Sequence, residues 1–150
     1  MSIRTEMPLL ARHAGDWKGE YIYIDNDGHV LDRHASHLTS VFPEDGSADY
    51  HQTNRYTWAD GRAEVHQFPG TYRAGKLYLE SERINGYTWE VDDKTIILTW
   101  VYKADPSNYL YEMIQLSPCG NHRARTWHWF ANGEIVKRTI IKEQRVQMED

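Results

Sequence analysis

Read for alternation, the chain is a succession of short runs in which aromatic and β-branched residues recur at every second position. In "WKGEYIYI" Trp17, Gly19, Tyr21 and Tyr23 share one face, while Lys18 and Glu20 take the other with Ile22. A period of two is the mark of a half-buried strand. Turn chemistry interrupts the runs at close intervals, in "DNDG", "PEDGS", "ADG", "RAG", "NG", "VDDK", "DPSN", "PCGN" and "ANG". Asn-Gly and Asp-Gly suit tight hairpins because two central residues there need positive φ. The pattern predicts ten strands, over 17–24, 29–42, 48–58, 62–68, 76–84, 86–91, 95–102, 109–116, 122–130 and 134–146. Only "EMPLLARHAG" reads as a helix, which Gly15 would end.

Consecutive strands joined by short turns make a meander, and a long meander removes its exposed edges by closing on itself. The expected fold is all-β: an up-and-down antiparallel β-barrel of eight to ten strands with a short N-terminal helix, in one domain over 1–150. An open two-sheet sandwich is the rival, but its crossovers need longer loops than these.

Parity then assigns the barrel interior. The inward set takes Trp17, Tyr21 and Tyr23 from the first strand and His34, Ser36, Leu38 and Phe42 from the second. Later strands add Tyr50, Gln52, Asn54, Tyr56 and Trp58, then Ile96, Leu98, Trp100 and Tyr102, then Leu110, Glu112 and Ile114, then Arg123, Arg125, Trp127 and Trp129. On 62–68 the parity is ambiguous between the face of Glu64, His66 and Phe68 and that of Val65 and Gln67. A lumen filled for stability alone would favour Leu, Ile and Val, because each buried polar group needs a partner. Aromatic walls with a few polar groups are what a small-molecule site looks like.

Composition narrows the functional classes. Six Trp and ten Tyr stand against three Phe, and these residues suit wet pockets and interfaces as well as cores. The formal net charge of −5 argues against nucleic acid or anionic membrane as partner. A single cysteine, Cys119, forms no intramolecular disulfide, and "MSIRTEMPLLARHAG" has no apolar core for a signal peptide or membrane span, so the expected location is cytoplasmic. The same Trp and Tyr residues would serve a homodimer interface if the lumen were solid.

"GDWKGEY" supplies a Gly-x-Trp at the start of the first strand, and the last strand, "EIVKRTIIKEQR", offers Arg138 and Arg145. This resembles the calycin superfamily, the lipocalins and fatty-acid-binding proteins, and especially small bacterial lipocalin-like proteins. The resemblance implies that Trp17 packs against a basic side chain of the final strand and closes one end of the barrel, behind a short helix. The absence of a disulfide or signal sequence departs from secreted lipocalins. "YIYIDNDGHVLDRHASH" is also similar to the first hairpin of the phenolic acid decarboxylases, cofactor-independent enzymes on a lipocalin-like barrel that use Tyr, Arg and Glu. That likeness covers this hairpin alone and misses the tyrosines that precede it in the family.

Two uses of one cavity follow. The first is binding of a small aromatic or amphipathic ligand, often an acid, by Tyr21, Tyr23, Tyr56, His66, Trp100 and Trp127. The second is a cofactor-independent lyase, isomerase or decarboxylase, with His34, Glu112 and Arg125 as acid, base and anion-holding groups. A bland reading stands beside each: His34 as a core histidine hydrogen-bonded to Tyr or Ser36, and Glu112 with Arg125 or Arg123 as a structural ion pair across strands. No cofactor is expected, for want of a Gly-rich phosphate loop or nucleophile elbow. No metal site is expected either, because His34 and His37 fall on opposite faces of a strand and no cysteine pair supports them.

Overall fold

The computed structural model describes residues 2–147; Met1 and residues 148–150, the ends of the 1–150 span, lie outside the described residues. Two short helices, α1 (Ile3–Glu6) and α2 (Pro8–Arg12), replace the single expected one. They precede ten strands: β1 (Gly15–Asp25), β2 (Val30–Val41), β3 (Tyr50–Thr57), β4 (Ala63–Arg73), β5 (Lys76–Glu80), β6 (Ile84–Glu90), β7 (Thr95–Tyr102), β8 (Asn108–Leu116), β9 (His122–Ala131) and β10 (Glu134–Arg145). Each strand pairs antiparallel with its chain neighbours, and β1 pairs with β10, so the meander closes into a barrel. The architecture fits a calycin-like barrel.

One expected turn is overturned. "NG" at 85–86 lies inside β6, and the chain reverses instead at Ser81–Arg83. Gly86 is there for close approach: a Cβ on it would lie 2.2 Å from the Thr99 carbonyl oxygen and 2.5 Å from Trp100 Cβ. The expected fourth strand stops at 68, whereas β4 runs through Pro69 and Gly70 to Arg73 and the tight Ala74–Gly75 turn.

The two ends of the barrel differ. At one, α1 and α2 seat Ile3, Met7, Leu9 and Leu10 in the core, and Leu10 N–H donates to the Glu90 carboxylate at 2.8 Å. Trp17, fully buried, donates its indole N–H to the His13 carbonyl at 3.0 Å. Two guanidiniums pack on its ring: Arg145 of β10 at 4.5 Å and Arg123 of β9 at 4.4 Å from the ring centroid. The final-strand arginine is therefore Arg145; Arg138 is exposed at the other end, in register with Ile24. A guanidinium stacked on indole contributes about 0.5–2 kcal/mol when partly desolvated. At the opposite end no element covers the lumen among the described residues.

Many of the polar side chains inside the barrel bond one another. Ser40, Tyr50, Gln52, Asn54 and Tyr56 form an end-to-end ladder along the lumen face, with links of 3.0, 2.7, 2.8 and 2.9 Å. Near the sealed end Arg123 bonds Glu143 through Nε and Nη2 at 2.7 and 3.1 Å and donates from Nη1 to His13 Nδ1 at 3.1 Å. Burial, with Arg123 beside it, pushes His13 from 6.5 down to about 3. Burial alone would raise the Glu143 carboxyl, but Arg123 and Arg125 hold it down to about 2.

These shifts fix how stability follows pH. The unfolded chain protonates His13 below 6.5, while the fold resists until about 3, so this contribution is complete above 6.5 and is lost as pH falls toward 3. Glu143 has the same sign in a lower window, from 4.5 to about 2. Urea unfolding as a function of pH should show stability falling below 6.5, by up to about tenfold in the folding constant per pH unit from His13. His13→Gln should reduce the part of that slope above 4.5, leaving what the similarly lowered His34 adds; a wild-type profile level down to pH 4.5 would contradict it.

Candidate functional site

From the sealed end outward, side chains of alternate strand positions face the lumen, and those nearest the open end leave space. A cavity of about 370 Å³ occupies the open half of the barrel, within the usual range of about 300–1,000 Å³ for ligand sites. Its aromatic wall comes from Tyr23 of β1, Tyr56 of β3 with Trp58 just beyond it, Phe68 of β4, Trp100 and Tyr102 of β7, and Trp127 and Trp129 of β9. Each neighbour locks the next: Trp127 meets Tyr21, Trp100 and Trp129 edge-on at 5.4, 5.7 and 5.5 Å, and Tyr102 stacks on Trp129 at 6.0 Å.

His34, on β2, stands at the bottom of this space. Its ring lies 4.8 Å from Tyr21, 4.4 Å from Tyr56 and 4.6 Å from Trp58. Nδ1 pairs with the Ala35 carbonyl at 3.2 Å; a carbonyl only accepts, so Nδ1 carries the proton and Nε2 keeps a lone pair. Burial lowers the His34 pKa below 6.5, which keeps the ring neutral at pH 7. Burial likewise raises Tyr23, Tyr56 and Tyr102, so their hydroxyls stay protonated. The Trp127 indole N–H is buried with no acceptor among the described residues.

At the mouth the groups are charged. Arg83 Nη1 meets His66 Nδ1 at 2.9 Å, and His66 Nε2 meets Glu64 at 3.3 Å. Arg62 lies over the Trp58 ring at 4.1 Å, and Lys137 over Trp129 at 4.9 Å. Asp32 accepts the Trp58 indole N–H at 3.0 Å. The rim is thus mixed in sign, with Arg62 and Lys137 laid on aromatic faces.

Of the residues singled out from sequence, Tyr23, His34, Tyr56, His66, Trp100 and Trp127 line this cavity. The even parity of β4 is settled by its register, which sets Glu64 against Tyr56 and His66 against Asn54. Three candidates sit elsewhere. Tyr21 is fully buried beneath the cavity floor, and Glu112 and Arg125 line a separate void of about 40 Å³ nearer the sealed end. There Arg125 donates from Nε to Glu112 at 2.6 Å and from Nη1 to Tyr21 Oη at 2.8 Å and Glu143 at 3.2 Å. Glu112 and Glu143 thus balance Arg123 and Arg125, a neutral cluster inside the barrel.

Arg83 is not legible in the sequence, because 76–84 reads as one strand and hides the turn over the mouth. Trp58, Phe68, Tyr102 and Trp129 are legible, since they share the parity of Tyr56, His66, Trp100 and Trp127. Away from the cavity, Asp25, Asp27 and His29 each bring a ligand atom within 4.8 Å of the others in the β1–β2 turn. Asp25 Oδ1 already accepts the backbone N–H groups of Asp27 and His29, which is ordinary turn chemistry. No helix among the described residues is long and apolar enough to cross a membrane.

The same barrel occurs in solved structures. A DUF3598-family protein from Nostoc punctiforme superposes with a TM-score of 0.70 at 16% identity, over 91% of this chain and 49% of that one, so this chain spans about half its length. The S-type phycobiliprotein lyase CPES from Guillardia theta superposes with a TM-score of 0.75 at 13% identity, over 99% of this chain and 95% of that one. At such identities the likeness is one of fold. No curated protein matches the sequence. Residues 4–148 match the family described as "Domain of unknown function (DUF3598), N-terminal", and the chain belongs to that family.

Proposed function

We propose that this barrel binds a small, planar, conjugated or aromatic molecule that carries acidic groups, with its ring system in the open half of the lumen. The observation that carries this reading is the 370 Å³ space walled by four tryptophans, Trp58, Trp100, Trp127 and Trp129. A core built only for stability would close over such a space, since every wall atom without a neighbour forgoes dispersion contacts. Flat faces of Trp and Tyr instead reward a flat guest, by about 0.5–1.5 kcal/mol per pair beyond area burial. Acidic groups on the guest fit Arg62, Arg83 and Lys137 at the rim, and an acceptor atom fits the unpartnered Trp127 N–H. The fold shared with a phycobiliprotein lyase makes a bilin the first conjugated acid to test. A bilin is too large to sink wholly into this cavity, so part of it would project through the mouth.

Tyr21, Glu112 and Arg125 have a supporting part in this reading. Arg125 fixes Tyr21, and Tyr21 stacks on His34, so the cluster holds the cavity floor in place. Titration of the protein with biliverdin and with anilinonaphthalene sulfonate, followed by tryptophan quenching, should give saturable one-site binding. Trp58→Ala and Trp129→Ala should each weaken it about tenfold. Glu112→Gln should cost about 3 kcal/mol of stability, as a broken buried pair does, while the folded fraction binds as wild type. Equal binding by both tryptophan variants would remove the cavity from the account.

A second reading is favoured by His34 alone: a neutral ring with a free Nε2 beside protonated Tyr56 is a base next to an acid. In that case the bound molecule loses a proton to Nε2 and either regains one at another atom, an isomerisation, or breaks a bond to a leaving group that departs with the Tyr56 proton, a lyase step; neither needs a cofactor. The rate would rise with pH up to a value below 6.5, where His34 becomes neutral, and then level off. His34→Gln, which keeps the volume but not the basicity, should abolish turnover while changing affinity less than tenfold. Unchanged turnover in His34→Gln would leave binding as the whole function.

A further inference from the structure

The barrel wall is incomplete on one side. β4 pairs with β3 from Ala63 to Gly70, yet its ladder to β5 holds only Gly70–Leu79, Thr71–Tyr78, Tyr72–Leu77 and Arg73–Lys76. Continued in the same register, the ladder would set Pro69 against Glu80 and His66 against Arg83. It stops because Pro69 has no N–H to give and because the chain leaves β5 at Ser81–Arg83 to start β6. Among the described residues, 63–69 thus have a strand on one side only.

Besides the open end, the cavity reaches this gap. From β1, β2, β3, β7 and β9 the lining takes single or alternate residues, but here it takes successive ones, Glu64 to Phe68 on one side and Ser81 to Ile84 on the other. Successive lining means that the backbone edge itself faces the space. The tight turn with positive φ at Ala74 and Gly75 makes Arg73 and Lys76 a hydrogen-bonded pair, so odd residues of β4 direct their backbone groups toward β5. Above Pro69 those residues are Val65 and Gln67, whose N–H and C=O therefore point into the gap.

We propose that this open edge is a docking site for an extended polypeptide segment of a protein partner, which adds as a strand along Val65–Gln67 in the line β5 abandons. A second polypeptide backbone is the occupant with donors and acceptors at the spacing Val65 and Gln67 present. Val65 supports it: a β-branched apolar residue left 59% exposed on the edge strand suits a cross-strand neighbour. The guest strand would alternate as its host does, so one of its side chains enters the cavity beside His66 and Phe68, and an apolar or aromatic residue fits there. Arg83, whose side chain spans the gap to His66, is exposed and swings aside. The proposal stands apart from the identity of any small ligand, but it puts the partner's side chain against whatever the cavity holds.

The test selects binders from phage displaying random dodecapeptides on the full chain, then follows backbone amide exchange with and without a selected peptide. Binding should slow exchange at Val65 and Gln67 about tenfold, from rapid values in the free protein. N-methylation along the peptide should abolish binding at every second residue, the period a strand imposes. Gln67→Pro should weaken binding about tenfold and Gln67→Ala should not, since only the first removes the N–H; if Gln67→Pro fails to fold, the N-methyl scan decides. The proposal is overturned if no peptide is selected, if protection falls outside 63–69, if the N-methyl scan shows no alternation, or if the protein dimerises through this edge and peptides cannot compete.

Discussion

Two guanidiniums and two carboxylates buried inside one small barrel set the terms for everything around them. Arg123 and Arg125 lie between Glu112 and Glu143, each charge bonded to an opposite one within 3.2 Å. A buried ion left unpaired costs several kcal/mol, so the four must be kept together and dry. The sealed end does this: α1 and α2 cover the opening, Trp17 fills it, and Arg145 lies across the Trp17 ring. The cluster also reaches the other way, because Arg125 holds the Tyr21 hydroxyl and Tyr21 stacks on His34. The lumen is thus divided into a lower half packed around charge and an upper half walled by aromatic faces.

The upper half inherits its shape from that division. A rigid floor lets Trp100, Trp127 and Trp129 stand edge to face, leaving a space none of them fills. Next to it the wall is interrupted, since Pro69 ends one ladder and the Ser81–Arg83 turn shortens the next two strands. An aromatic cavity and an unpaired strand edge meet at one place. A site so arranged can hold a flat molecule and present it to a second chain.

The barrel was legible because its sequence alternates so consistently. Trp17, Tyr21 and Tyr23 on β1, and Arg123, Arg125, Trp127 and Trp129 on β9, all face the lumen as parity requires. What parity could not supply was depth along the strand. Residues two apart share a face but lie in different layers, so Arg125 and Trp127 look equivalent in sequence while one sits in the ion cluster and the other lines the cavity. Polarity misled for a related reason: Gln52 and Asn54 suggest a wet pocket, yet they satisfy each other along β3 without any guest. Glycine misled once, at Gly86, where the need was room beneath Trp100 and not a turn. Arg83 depends on a hairpin whose length only the register reveals.

The division of the lumen is tested most directly by anomalous diffraction from crystals soaked with a bromonaphthoate, a flat aromatic acid. Bromine density is expected in the open half, bounded by Trp58, Trp100 and Trp129, with the Arg125–Glu112 pair undisturbed beneath it. Bromine bound only on the outer surface, or a lumen closed by the tryptophan side chains with no space between them, would contradict the account.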